Sequence, residues 1–377
     1  MTLRLIQASL LLVVAACGAS DRTAAQSGAA GEAGSRPFVL SEVRTFNSPW
    51  AMDFLPGSGV PLTNAALVTE KEGRLWLVNV ATGERQQVSG IPQVRVAGQG
   101  GLGDVVAHPD FAGNQRIYLS FVEAGPNGTS GAALGYGRLI LGSGQPRLQD
   151  FKVIWRQEPK VSGSVHFSHR IAFAPDGTMF VSSGERFKFE PAQDRNVDLG
   201  KIIHMTAEGQ RIGGRYYSMG HRNVLGLAFA PDGRLWATEM GPRGGDELNL
   251  ILQGRNYGWP VVSYGSHYDG REIPDDHKSR GFEEPKVYWN PSVSPGGFII
   301  YTGDKFPAWK GDAIIAALSG QSLIRVDIDG DNAKKADEWD MQARIRAVDQ
   351  GPDGSVYLLE DGEAPGQGRL LRLDPAR

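Results

Sequence analysis

One hairpin, repeated along the chain, limits the possible folds more than any other feature. Each copy is an apolar stretch of alternating polarity, a tight turn, and a second apolar stretch. The clearest turns are Ala174-Pro-Asp-Gly177, Ala230-Pro-Asp-Gly233 and Gly351-Pro-Asp-Gly354. Proline presets one turn dihedral, glycine accepts a positive φ, and alternating apolar residues mark strands buried on one side. The first two turns lie 56 residues apart, and weaker copies at 52–68 and 105–121 and a divergent one at 298–318 fall at comparable intervals. Six such units fill residues 37–377. Four short strands per unit at a fixed period predict an all-β chain, a six-bladed β-propeller of four-stranded antiparallel blades. A pair of β-sandwiches is the structural alternative, but it does not account for six copies of one hairpin.

Composition agrees where it bears on this. The chain carries 50 glycines and 22 prolines, which suits many turns, and no stretch predicts an amphipathic helix longer than two or three turns. A net charge of −3 gives no global attraction to nucleic acid or anionic lipid. The single cysteine, Cys17, closes a leader: Arg4 precedes the apolar run 10–16, which ends on Val14-Ala15-Ala16-Cys17. The run is too short to span a membrane as a stable anchor and reads as a secretory signal. A cysteine straight after the cut resembles a bacterial lipoprotein lipobox, which implies that Cys17 carries lipid; a plain signal peptide with an incidental cysteine is the alternative. Residues 1–17 are thus expected to be a lipoprotein signal peptide, 18–36 a flexible Ala/Gly/Ser tether, and 37–377 the propeller. The expected location is the periplasm, lipid-anchored to a bacterial membrane, the outer one favoured, with Cys17 the only membrane attachment. No disulfide is available to the mature chain.

The chemistry concentrates in loops ahead of the predicted inner strands. These carry Gln99-Gly-Gly-Leu-Gly-Asp104, His166-Phe-Ser-His-Arg170, His221-Arg222-Asn223 and Arg344-Ile-Arg346, and Gly241-Pro242 leaves the strand pair that His221 enters. The richest stretch is 219–260, where predicted strands 225–229 and 234–239 stand between two polar loops. Propeller symmetry would gather these loops at one end of the central channel. Arginine forks suit a planar, multiply anionic ligand, and free carbonyls suit a hard cation such as Ca²⁺. The glycine-rich 99–104 loop could cradle a phosphate, but no P-loop lysine follows it.

Taken together, the ordered motifs are specific. Gly100-Gly-Leu-Gly-Asp104 with His108-Pro-Asp-Phe111, His166 with Arg170, Gly220-His-Arg-Asn223, Gly241-Pro242 with Gly245-Asp-Glu-Leu-Asn249, Asn256-Tyr-Gly-Trp-Pro260 and Arg344-Ile-Arg346 resemble the soluble quinoprotein glucose/sorbosone dehydrogenases over about residues 45–375. The resemblance implies an enzyme that oxidises an aldose or related aldehyde sugar, with pyrroloquinoline quinone (PQQ) and Ca²⁺ held over the channel mouth and an unidentified electron acceptor. It implies His166 as catalytic base and sugar contact, and Arg222 with Asn223 at the quinone oxygens, Arg222 acting in catalysis as well. Arg344, Arg346 and Ser292 would hold the cofactor, the Gly241 and Pro242 carbonyls the calcium, and Gln99 the sugar. A neutral imidazole suits a base near pH 7. His169 matches no family role and is expected to be structural; Asp246 and Glu247 are expected to brace their loop.

Departures from the glucose enzyme also stand out. A cofactor-binding lysine is replaced near Ser319, an acidic residue before the catalytic histidine is Val165, a Gly-Asp pair is Gly184-Glu185, and a threonine is Ser292. The Ser319 and Val165 changes favour the aldose/sorbosone branch and leave the sugar open. Two rival readings remain at this point. One is a non-catalytic propeller lipoprotein that binds carbohydrate or protein. The other is a Ca²⁺-dependent lactonase propeller, which would want inward carboxylates where these loops offer arginines.

Overall fold

The computed structural model describes residues 36–57, 64–142, 144–362 and 366–376, so the leader with Cys17 and residues 18–35 of the tether lie outside the described residues. Six four-stranded antiparallel sheets make up the fold, as the hairpin period predicts. The first strands of the six blades are Pro49–Phe54, Leu102–Ala107, Ser168–Phe173, Val224–Phe229, Pro295–Ile300 and Ile345–Gln350. Each of these packs beside the next, and the last packs beside the first, so they close a ring around a central channel. The one α-helix among the described residues is the single turn Phe111–Asn114.

The repeated turn shows why the sequence folds this way. Gly177 N donates to Ala174 O at 2.9 Å, and Ala174 N donates to Thr178 O at 2.7 Å. Gly177 sits at φ 81°, which a side chain would strain, and Asp176 Oδ1 accepts from Thr178 N at 2.9 Å. The same bonds recur around Gly233 and Gly354.

Alternation along the strands then builds the core. Strand period two sends successive side chains to opposite faces of a blade, so each blade feeds two interfaces. Ile314 and Leu323 of the fifth blade join the cluster shared with the sixth, while their neighbours Ile315 and Ile324 join the cluster shared with the fourth. One apolar cluster fills each of the six gaps between neighbouring blades.

The sequence period places six units in series, but the ring closes differently. The strand Phe38–Phe46 pairs antiparallel with Gly368–Pro375, from Phe38 opposite Pro375 to Phe46 opposite Gly368, with the register shifting once between Glu42 and Arg44. The sixth blade is therefore built from both ends of the fold. Phe38 and Phe46 anchor this strand in the gaps on either side of that blade.

Candidate active site

The loops that lead into the first strands meet at one end of the ring. Ser48, Gln99, Phe167, Asn223, Ser294 and Arg344, one from each blade's entering loop, line a single cavity of about 470 Å³. Arg346, Lys71, Met240 and Asp361 share its wall. Of the residues singled out in the sequence, Gln99, Asn223, Arg344 and Arg346 line this cavity directly. His166 adjoins it: its backbone N–H donates to Gln99 Oε1 at 2.7 Å. Arg222 and Pro242 line a neighbouring cleft of about 200 Å³.

His166 is held in one state by its surroundings. It sits at φ 50°, with Ser168 and His169 also at positive φ, a cluster of backbone strain of the kind that functional sites maintain. Its Nδ1 lies 2.5 Å from Glu185 Oε1. An ionised carboxylate can only accept, so Nδ1 carries the proton and Nε2 keeps its lone pair. Burial holds the His166 pKa below the usual 6.5, with the Arg222 and Arg186 charges acting the same way and Glu185 opposing. Burial pushes the Glu185 carboxyl up, but the His166 hydrogen bond and charge, the Phe189 N–H and Arg222 together bring it below its ordinary range. The pair is therefore neutral imidazole beside carboxylate. Glu185 Oε2 also accepts from Lys188 N at 2.5 Å and Phe189 N at 2.8 Å, which fixes the carboxylate in turn. In the sequence Glu185 shows only as a departure from a Gly-Asp pair; here it is the partner that orients the histidine.

His169 has a different part. Its ring stacks on Trp50 at 5.1 Å, its Nδ1 bonds Ser120 Oγ at 2.8 Å, and burial lowers its pKa to about 3. It is a structural histidine, and it explains a glycine in the 99–104 loop. A Cβ on Gly103 would stand 1.9 Å from His169 Cε1. Close approach to side chains, and not phosphate, is what that glycine serves.

The 219–260 stretch supplies the next wall. His221 is buried between Ser218 Oγ at 2.8 Å and Glu239 Oε1 at 3.1 Å, and Glu239 Oε2 accepts the Arg222 backbone N–H at 2.8 Å. Arg222 is 3% exposed; it donates from Nη1 to Met240 O at 2.9 Å and from Nη2 to Tyr268 Oη at 3.0 Å. Its Nε is buried with no partner among the described residues. Asn223 Oδ1 accepts from Ser168 Oγ at 3.1 Å. Asp246 braces the second loop, accepting from Gly241 N at 2.8 Å, Ser292 Oγ at 2.6 Å, and Val293 N and Ser294 N at 2.7 Å each. Ser292 is thus committed to Asp246, and of these two neighbouring serines it is Ser294 that lines the cavity. The Gly241 and Pro242 carbonyls accept no hydrogen bond from the described residues. No cluster of three His, Cys, Asp or Glu side chains among the described residues is arranged to hold a metal, so a cation here would rest on such main-chain oxygens.

Two arginines face one way across from this wall. Arg344, just ahead of the strand, and Arg346, within it, both pair with Asp361, at 3.0 and 2.9 Å, so their guanidinium groups meet on one side. One carboxylate offsets only one of the two guanidinium charges. Lys71 adds a third cation; its Nζ donates to Gly98 O at 3.0 Å. Ser319, where the resemblance leads one to look for a lysine, instead bonds Ser294 Oγ at 2.8 Å. Lys71 and Asp361 went unnoticed in the sequence because neither belongs to a loop that precedes a first strand.

The comparisons with known proteins agree with this geometry. The family model described as Glucose / Sorbosone dehydrogenase matches residues 46–372. The aldose sugar dehydrogenase YliI of Escherichia coli (strain K12) is 38% identical over 343 residues, covering 87% of this chain and 90% of that protein. A crystal structure of a glucose dehydrogenase is 40% identical with a TM-score of 0.82, covering 90% of this chain and all of that one. The PQQ-bound form of aldose sugar dehydrogenase from Streptomyces coelicolor is 29% identical with a TM-score of 0.72, covering 89% and 98%. The chain belongs to the Glucose / Sorbosone dehydrogenase family and is a sugar oxidoreductase.

Proposed function

We propose that this protein oxidises an aldose or related aldehyde sugar with PQQ, His166 serving as the base. The observation that carries the reading is the His166–Glu185 pair, a buried neutral imidazole with a free Nε2 beside a cavity walled by cations. The residues present suit the cofactor. Its carboxylates find Arg344, Arg346 and Lys71, with Asp361 the one carboxylate among the described residues lining the cavity, and the buried Nε of Arg222 lacks a partner among the described residues. The Gly241 and Pro242 carbonyls, free of hydrogen bonds from the described residues, suit Ca²⁺. The resemblance to a PQQ-bound sugar dehydrogenase supports the same assignment.

When bound, PQQ supplies the two-electron acceptor, and Ca²⁺ would make it more electrophilic. The chain's own residues do the rest. His166 Nε2 takes the proton of the anomeric hydroxyl as the carbon–hydrogen bond breaks, and Glu185 stabilises the imidazolium that results. Arg222 is placed to stabilise negative charge as it develops, at no cost of reorganisation, because Glu239, Met240 and Tyr268 already hold it. Asn223 would contact the quinone oxygens, Gln99 the sugar, and Ser292 would act through Asp246 and Ser294. A lipid on Cys17 would keep the enzyme at a periplasmic membrane surface, electrons passing to a separate acceptor. The test is dye reduction by the purified protein across a panel of aldoses, with and without PQQ and Ca²⁺. Sugar-dependent reduction that requires PQQ supports the reading; PQQ binding without turnover of any aldose, or no PQQ binding, sinks it.

A further inference from the structure

Further along the channel lies a second chamber, of about 260 Å³, that the reaction does not use. All six first strands line it, each the free inner edge of its blade. Asp53, Asp104 and Asp349 stand on its wall, and Arg170 is the one cation there among the described residues.

That arginine is already committed. Its Nη1 donates to Asp104 Oδ1 at 2.9 Å, its Nε donates to Leu225 O at 2.7 Å, and it stacks on Trp50 at 4.1 Å. Ile171 N donates to Asp104 Oδ2 at 2.8 Å, so both oxygens of Asp104 are satisfied. Asp53 and Asp349 are not. Asp53 belongs to Pro49–Phe54 of the first blade and Asp349 to Ile345–Gln350 of the sixth, each one residue from the end of its strand. The two strands pack side by side. Asp53 Oδ2 accepts from Ala107 N at 2.6 Å, and Asp349 Oδ1 accepts from Gln350 N at 2.8 Å. Asp349 Oδ2 is buried with no hydrogen-bond partner among the described residues. An orphaned carboxylate oxygen is unfavourable unless a ligand answers it. Burial pushes both carboxyls above the ordinary range, and the Asp53 charge pushes Asp349 further. A counter-ion between them would let both ionise.

We propose that Asp53 and Asp349 hold a divalent cation such as Ca²⁺ in this chamber, clasping the first blade to the sixth. Two carboxylates are too few to coordinate it alone. Calcium also accepts main-chain carbonyls and water, and the free edges of the first strands turn unpaired C=O groups into the channel. The seam it would span is the one where the ring closes, because the sixth blade is completed by Phe38–Phe46. The inference does not depend on the reaction at the mouth.

The test is calorimetric titration of Ca²⁺ into purified protein stripped of metal by a chelator, for wild type, Asp349→Asn and Asp53→Asn. Wild type should bind one Ca²⁺ more than either variant, whatever the mouth takes up in all three. At pH 6 that extra ion should release protons, because carboxyls hold them there and the mouth's carbonyls do not. At about a hundred times its dissociation constant it should raise Tm by about 4 °C, a gain that both variants lose. Without metal, neither variant should melt below wild type, since one of two neighbouring acids has become neutral. Equal numbers of Ca²⁺ in wild type and both variants overturn the clasp. So does a wild type whose Tm ignores Ca²⁺ and falls only as pH rises, the behaviour of a shared proton in place of a metal.

Discussion

At the scale of single residues, the account turns on a proton held at a stated atom. His166→Ala should leave PQQ affinity nearly unchanged and lower kcat by about 10³-fold, within the range a general base contributes. Glu185→Gln should cost about 10²-fold or more, because an amide can donate to Nδ1 and so favour the wrong tautomer. The pH dependence has a definite sign. The base is competent when neutral, so kcat/KM should hold above the His166 pKa and fall as pH drops through it, below the usual 6.5. Glu185 raises that pKa, so its loss should move the acid limb still lower; a limb moving upward in Glu185→Gln would contradict the pairing. For cofactor affinity, Arg346 should matter more than Arg344, since their side chains are 17% and 38% exposed. Losing charge-assisted hydrogen bonds at the drier site should weaken PQQ binding by about 10- to 100-fold, measured by quinone titration into Arg346→Ala. His166 and the Arg344/Arg346 pair were legible in sequence because they lead into apolar strands. Glu185 was not, because its closeness to His166 depends on a loop doubling back through positive-φ residues that no hydrophobic pattern marks.

At the scale of elements, the hairpin was plain and the loops that carry function were only partly so. The Pro-Asp-Gly turn encodes its own geometry locally, which is why strands such as Leu235–Glu239 fall within a residue of where alternation places them. The 186–189 loop has no such code. Its shape comes from Arg186 reaching three carbonyls in two other segments, one at Ser130 and two at Gly163 and Val165, all more than twenty residues away in sequence. Arg186→Ala would strand those acceptors, each worth about 1–3 kcal/mol when buried and unsatisfied. The melting temperature should fall, and kcat should fall as the loop whose Lys188 and Phe189 N–H groups fix Glu185 loses its support. A variant with unchanged kcat would show that the loop holds its shape without the arginine. The glycine-rich 99–104 loop teaches the reverse lesson: its glycines suggest a ligand, yet Gly103 makes way for His169 and Gly101 for Lys71 O, 2.1 Å from where its Cβ would be.

At the scale of the whole molecule, the period gave the blade number but not the closure. Periodicity is a local property, whereas the pairing of Phe38–Phe46 with Gly368–Pro375 joins opposite ends of the fold and leaves no mark in the spacing of turns. Phe38 is 4% exposed, edge-on to Trp339 at 5.4 Å and Trp309 at 6.0 Å. Phe38→Ala should therefore cost about 3–5 kcal/mol, a drop of roughly 4–7 °C in Tm by thermal melting. A change within a degree or two would mean that the ring does not depend on this clasp. Closure matters to function because the cavity takes one lining residue from each blade's entering loop, so the site exists only in the complete ring. The central claim, that this mouth oxidises sugar with His166 as base, is tested most directly by rapid mixing. PQQ and Ca²⁺ are loaded onto wild type and His166→Ala, an aldose is added with no acceptor present, and the quinone absorbance is followed through one turnover. The account predicts equal loading of both proteins, fast bleaching in wild type and bleaching about 10³-fold slower in the variant. Bleaching at the wild-type rate without His166 would contradict it.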